Sequence, residues 1–269
     1  MGGYMKSILI IGLIWLTVGP CWGAGIQVMG ELTREMTLQP GDRIQGKILV
    51  QNRSEYTQQV SVFQTDYQFF ANGVNDYGKP GTMARSNASW ITFAPRLLTL
   101  SGNETLAIDY VVQVPKEGSL TGTYWSILMV EPIPVAKLDP KPRSSGTVGI
   151  NTVLRYAVQM VTHIGQTGER AMKFPGKQLL QENGKKILNS DAENTGERWL
   201  RPQIWAQIFN QDGTDCGRFS GQRLRIYPGC SARFQVDLSS LSKGNYSALV
   251  VGDNGDEYVF GARYEFSLN

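Results

Sequence analysis

Hydrophobic and polar residues along this chain alternate with a period of two in short runs, and proline, glycine and asparagine separate the runs. From Thr105 to Val114 the alternation is strict. Leu106, Ile108, Tyr110, Val112 and Val114 point one way, and Thr105, Ala107, Asp109, Val111 and Gln113 the other, as a strand with one buried face requires. The same grammar predicts strands over Leu32–Leu38, Ile44–Gln51, Gln58–Phe70 and Tyr124–Pro132. Gln39-Pro40-Gly41-Asp42 is a turn between the first two, with proline presetting φ and glycine accepting positive φ. Polar loops are expected over Asn72–Ala88 and Asp139–Gly146. The run Ile150–Ile164 holds β-branched residues and alternates, so it predicts a long strand rather than a helix.

Beyond a polar, glycine-containing stretch at 165–176 the pattern resumes. Strands are predicted over Ile187–Ala192, Gln203–Phe209, Leu224–Tyr227, Arg233–Leu238, Tyr246–Gly252 and Tyr258–Leu268, the last two joined by a hairpin at Asp253-Asn254-Gly255-Asp256. Strands at this spacing predict an all-β protein of two Ig-like or fibronectin-type sandwiches. The expected division is residues 1–23 a signal peptide, 24–164 the N-terminal sandwich, 165–176 a linker and 177–269 the C-terminal sandwich.

The signal peptide is read from Lys6, the apolar run Ile8–Val18 and the break at Gly19-Pro20. That run is shorter than the roughly 20 residues that span a bilayer, so secretion across the inner membrane to the periplasm or cell surface is expected, without stable membrane insertion. Removing residues 1–23 leaves 25 basic against 23 acidic residues, a balance that argues against nucleic-acid binding. Cys216 and Cys230 then remain, and in an oxidising compartment a disulfide between them is the favoured reading, with two free thiols as the alternative.

Candidate chemistry is sparse. His163 is the only histidine, no G-x-S-x-G elbow occurs, and no zinc-ligand or phosphate-loop pattern is present, so no catalytic residue, metal or cofactor is assigned. Asp253, Asp256 and Glu257 offer oxygen ligands for calcium, but their spacing fits a hairpin turn better. Tyr67, Phe69, Phe70, Trp90, Trp125, Trp199 and Trp205 are read as core, with a carbohydrate-stacking platform as the lesser alternative. The strand Ile150–Ile164 is apolar on both faces: Leu154, Tyr156, Val158 and Met160 on one, Arg155, Ala157, Gln159 and Val161 on the other. Either the second row packs on the neighbouring domain, or the strand lies at an edge and accepts a partner's strand.

The order Pro40-Gly41, Trp90-Ile91, Val114-Pro115, Gly118-Ser119-Leu120, Tyr124-Trp125-Ser126-Ile127 and Ile133-Pro134, followed by the long strand, resembles the N-terminal domain of periplasmic pilus chaperones over about residues 26–164. That resemblance implies a non-enzymatic factor whose long strand, through Leu154, Tyr156, Val158 and Met160, completes the fold of a pilus or surface subunit. It also implies a basic pair for the subunit's terminal carboxylate, for which Arg34 and Arg155 are the candidates. The two-domain layout is similar, too, to bacterial surface proteins that bind peptidoglycan and interact with WxL proteins. An envelope-polymer binding module is therefore the alternative function, and a glycosidase-like enzyme the third.

Overall fold

The computed structural model describes residues 25–116, 118–134 and 153–269. The expected signal peptide, the loop Asp139–Gly146 and the first residues of the expected strand Ile150–Ile164 lie outside the described residues. No helix among the described residues is long and apolar enough to cross a membrane.

The first half contributes β1 (Ile26–Val28), β2 (Thr33–Leu38), β3 (Arg43–Asn52), β4 (Gln58–Thr65), β5 (Gln68–Phe69), β6 (Asn75–Asp76), β7 (Ile91–Ala94), β8 (Leu97–Leu100), β9 (Thr105–Gln113), β10 (Gly122–Ile133) and β11 (Tyr156–Ile164). They form one sheet in the order β1-β3-β9-β7, a second in the order β2-β11-β10-β4-β8, and the small hairpin β5-β6. The second half contributes β12 (Met172–Glu182), β13 (Lys185–Asn194), β14 (Gln203–Asn210), β15 (Asp215–Arg223), β16 (Ser231–Asp237), β17 (Gly244–Asp253) and β18 (Val259–Leu268). Their sheets run β12-β13-β16 and β15-β14-β17-β18. The architecture is two β-sandwiches in series.

Alternation sets the cores. In β9, Ile108, Tyr110 and Val112 are buried and Asp109 is exposed, and the facing sheet supplies Val60, Leu100, Leu128, Val130, Val158 and Met160. The second core gathers Leu188, Ile204, Ile208, Phe234, Val236 and Val250. The turn at Gln39–Asp42 forms as its chemistry requires: Gly41 has φ of 91°, and Asp42 Oδ2 accepts the Gln39 N–H at 2.8 Å. Each sandwich pins a loop with a fully buried asparagine at a strand end. Asn52 Nδ2 donates to the Leu100 carbonyl at 3.2 Å, and Asn194 Nδ2 donates to the Ile226 carbonyl at 3.0 Å.

Several elements differ from expectation. The strand predicted over Gln58–Phe70 ends at Thr65, because the buried carboxylate of Asp66 turns the chain by gathering the N–H groups of Gly81 (3.1 Å) and Met83 (2.7 Å) and the Ser86 hydroxyl. The loop 72–88 carries half of the β5-β6 hairpin and runs into a 3-10 turn at Ala88–Trp90. Leu224–Tyr227 forms no strand, only a bridge from Ile226 to Leu200. Strand β12 starts at Met172, inside the expected linker, and its bulge at Phe174-Pro175, between Lys173 and Gly176, masks the alternation. Strand β15, interrupted by Gly217 and Gly221, was masked likewise.

Leu128 lies wholly inside the first core, whereas Leu249 is 44% exposed. Leu128→Ala should lower unfolding free energy by about 2–5 kcal/mol and Leu249→Ala by less than about 0.5 kcal/mol, read from urea denaturation midpoints.

Candidate functional site: the open edge of strand β11

The N-terminal chain changes sheets. β1 pairs antiparallel with β3 in the first sheet; the chain then bends through Gly30, at φ of 78°, and β2 joins the opposite sheet parallel to β11. That parallel ladder begins only at the Thr33–Gln159 pair, where the Gln159 N–H donates to the Leu32 carbonyl at 2.7 Å. Tyr156, Ala157 and Val158 therefore pair with β10 on one side, and no described strand pairs with them on the other. Backbone groups of a strand alternate in direction, so the Ala157 N–H and C=O point the same way as those of Gln159, toward the vacant side. Beside this edge lies a groove of about 540 Å³ lined by Ile26, Gln27, Pro132, Val153, Leu154 and Tyr156, among others. Leu154 is 61% exposed there.

The residues singled out from sequence fall on both sides of this boundary. Leu154 and Arg155 precede the strand, and Arg155 Nε meets Glu131 Oε1 at 2.8 Å on the outer face. Tyr156 is half-buried against the first core. Val158 and Met160 are wholly enclosed in that core, so their side chains cannot meet a partner; this corrects the expectation for them. From Gln159 onward β11 is an inner strand, flanked by β2 and β10, rather than an edge. Arg34 and Arg155 do not converge as a basic pair. Arg34 is in register with Met160 and shares its face, while Arg155 lies five residues earlier on the opposite face.

The second apolar row of β11 packs on the second sandwich. Val161 belongs to that domain's core, together with Trp125 of β10. Trp125 stacks on Tyr227 with ring centroids 4.7 Å apart and planes 11° from parallel, and its Nε1 donates to the Tyr67 carbonyl at 2.7 Å. Tyr227 donates its hydroxyl proton to Gln159 Oε1, and burial pushes its pKa up to about 12. At the periphery Arg85 pairs with Glu197 at 2.8 Å, and the Ala71 N–H donates to Ser231 Oγ at 3.0 Å. Trp125 and Trp199 are thus core residues of a joint between domains, a role that sequence assigned only as generic core.

His163 sits inside this joint at 2% exposure. Thr123 Oγ1 accepts the Trp199 N–H at 3.0 Å, so its own proton goes to His163 Nδ1 at 2.9 Å, and His163 Nε2–H donates to Glu35 Oε1 at 3.0 Å. Burial lowers the His163 pKa; the hydrogen bond to Glu35 opposes that shift, and Arg198 and Arg225 reinforce it. Thr–His–Glu in hydrogen-bonded series has the connectivity of a nucleophile, base and orienting acid. Thr123 is fully buried, however, and no substrate can reach its hydroxyl. The series is a structural joint.

The remaining candidates resolve locally. Cys216 and Cys230 are both free thiols, which overturns the expected disulfide: Cys216 lies half-buried on β15, while Cys230 is sealed in the second core and its pKa is pushed up to about 11 by burial. At the β17-β18 hairpin Asp253 Oδ1 accepts the Gly255 N–H and Asp256 Oδ1 the Tyr258 N–H, both at 2.9 Å, so these carboxylates build the turn. Among the described residues no three His, Cys, Asp or Glu side chains converge as metal ligands. The apolar second row of Ile150–Ile164 raises an edge as one of two options; that the uncovered part stops at Gln159 follows from the sheet change at Gly30, which no local pattern in β11 shows.

In structure the chain is similar to fimbrial chaperones. The matches include a chain from a chaperone–tip adhesin complex of CFA/I fimbriae biogenesis, at 12% identity and a TM-score of 0.48, covering 90% of this chain and 98% of that one. They include the class 5 fimbriae chaperone CfaA, at 12% identity, TM-score 0.45 and the same coverages. A chain of the CsuC–CsuE chaperone–tip adhesion subunit pre-assembly complex from Csu pili of Acinetobacter baumannii matches at 11% identity and TM-score 0.45, again covering 90% and 98%. No family model and no curated protein matches the chain.

The thiol assignment has a direct check. In residues 25–269, a chromogenic thiol reagent should titrate Cys216 in the native protein and both cysteines only after denaturation, since a thiol must be exposed and ionised to react. A protein with no titratable thiol after denaturation without reductant would restore the disulfide.

Proposed function

We propose that this protein is a non-enzymatic, periplasmic protein-binding factor that acts in a chaperone-like way on pilus or surface components, by adding a partner's strand to the open edge of β11. The observation that carries this reading is that, among the described residues, Tyr156–Val158 pair on one side only, next to a groove with exposed Leu154. An unpaired ladder on a sheet edge is a template for a further strand: main-chain hydrogen bonds supply affinity, and alternate side chains supply specificity. An incoming strand on this edge would meet Ala157 with its backbone and Leu154 and the groove with its side chains. The pattern of the N-terminal residues supports an extracytoplasmic address.

The test separates backbone from side-chain recognition. Ala157→Pro removes an N–H that faces the vacant side, so the free protein should keep its melting temperature within a few degrees. Its co-purification with the partner subunit should fall about tenfold or more, as should that of Leu154→Glu. In the wild-type complex the Ala157 amide should gain protection from hydrogen exchange. Retention unchanged in both variants, with Ala157 exchanging freely in the complex, would exclude strand addition at this edge.

A further inference from the structure

We propose that the joint between the two sandwiches is an acid-released latch, with His163 as its titrating element. This goes beyond the strand-addition reading and does not depend on it. The groups packed around the imidazole come from four elements. β2 supplies Glu35, β10 supplies Thr123, the segment before β14 supplies Arg198 and Trp199, and the segment before β16 supplies Arg225. Trp199 lies against the imidazole with centroids 5.3 Å apart, and the Arg225 guanidinium lies over the same indole at 4.1 Å. Arg198 is itself buried, donating from Nη1 to the Gly165 carbonyl at 2.9 Å and the Thr167 carbonyl at 3.1 Å. Arg225 Nη2 is 3.9 Å from Glu35 Oε2.

The neutral imidazole suits this setting because it satisfies both neighbours, accepting from Thr123 and donating to Glu35. A proton on Nδ1 reverses the first bond, since the Thr123 hydroxyl must then accept from both the Trp199 amide and the imidazolium. It also adds a third positive charge beside Arg198 and Arg225, against the single carboxylate of Glu35. Glu35 is the countercharge that keeps protonation within reach. Without it, a buried imidazolium would only be excluded.

The sign follows from linkage. Burial lowers the folded-state pKa below the ordinary value of 6.5, so between the two values the unfolded or undocked state binds more protons. Docking is favoured in full above about pH 6.5, and that advantage is lost as the pH falls toward the depressed value. Joint residues on both sandwiches are thereby coupled to pH, although neither core contains a titrating group that changes in this range.

One histidine in the chain makes the experiment unambiguous. Imidazole carbon-bound protons followed by NMR should titrate below pH 6.5. Glu35→Gln should move that titration lower still, and Arg225→Met, which keeps bulk over Trp199, should move it higher. Calorimetry should show one unfolding transition at pH 7.5 that separates into two as the pH falls below 6.5, and His163→Gln should remove the pH dependence of that separation. A titration at or above pH 6.5, shifts of the same sign in the two charge variants, no separation in the wild type, or a separation that persists in His163→Gln would each overturn the latch. If His163→Gln does not fold, the two charge variants decide the question on their own.

Discussion

Strand β11 buries its two faces against two different bodies, and the arrangement of the molecule depends on that constraint. Period-two alternation sends Val158, Met160 and Ile164 into the first core, while Gln159, Val161 and His163 meet the second sandwich. A slip of one residue would exchange the two sets, placing Gln159 and His163 in an apolar core and Met160 against Tyr227. The register is therefore specified twice, once by each body. Burying an aromatic pair such as Trp125 and Tyr227 contributes several kcal/mol of apolar transfer and stacking to the joint.

The same constraint explains why the open edge is short. β2 covers the vacant side of β11 wherever its second face is under the other sandwich, from Gln159 to Ile164. Among the described residues, no strand covers Tyr156–Val158 on that side. Exposed sheet edges invite indiscriminate pairing, and charge beside them is the usual protection. Arg155 and Glu131, paired across the β10-β11 ladder, put an ion pair at the end of the uncovered stretch. A partner strand must accommodate or displace it, whereas the groove at Leu154 and Tyr156 lies on the other face.

Much of the fold was legible in the sequence because alternation reports a half-buried sheet face directly. β3, β9, β13, β14, β17 and β18 lie close to where their patterns place them. β12 and β15 escaped because bulges and glycines break the period, and Gln58–Phe70 was over-extended because nothing local shows that Asp66 will fold back on residues 81–86. The site was less legible. The two apolar rows of β11 were visible, as was the option that one of them packs on the neighbouring domain. Which row faces which body depends on long-range pairing, so Val158 and Met160 were assigned to a partner although they build the core. Arg34 and Arg155 looked like a pair as residue types, yet odd and even positions on adjacent strands cannot share a face here.

Directional polar contacts distinguish this joint from a merely greasy one. Apolar stacking of Trp125 on Tyr227 tolerates sliding and rotation, because dispersion and burial vary slowly with orientation. The Trp199 amide on Thr123, the Thr123 proton on His163 and the His163 proton on Glu35 do not tolerate it, since each atom has its role assigned by the one before. Leaving any one of these buried groups unpaired costs about 1–3 kcal/mol, so alternative dockings that keep the apolar contact but break the series are selected against. The angle between the sandwiches, and with it the space over the outer face of β10 and β11, is fixed by a chain of hydrogen bonds that runs through the protein's only imidazole.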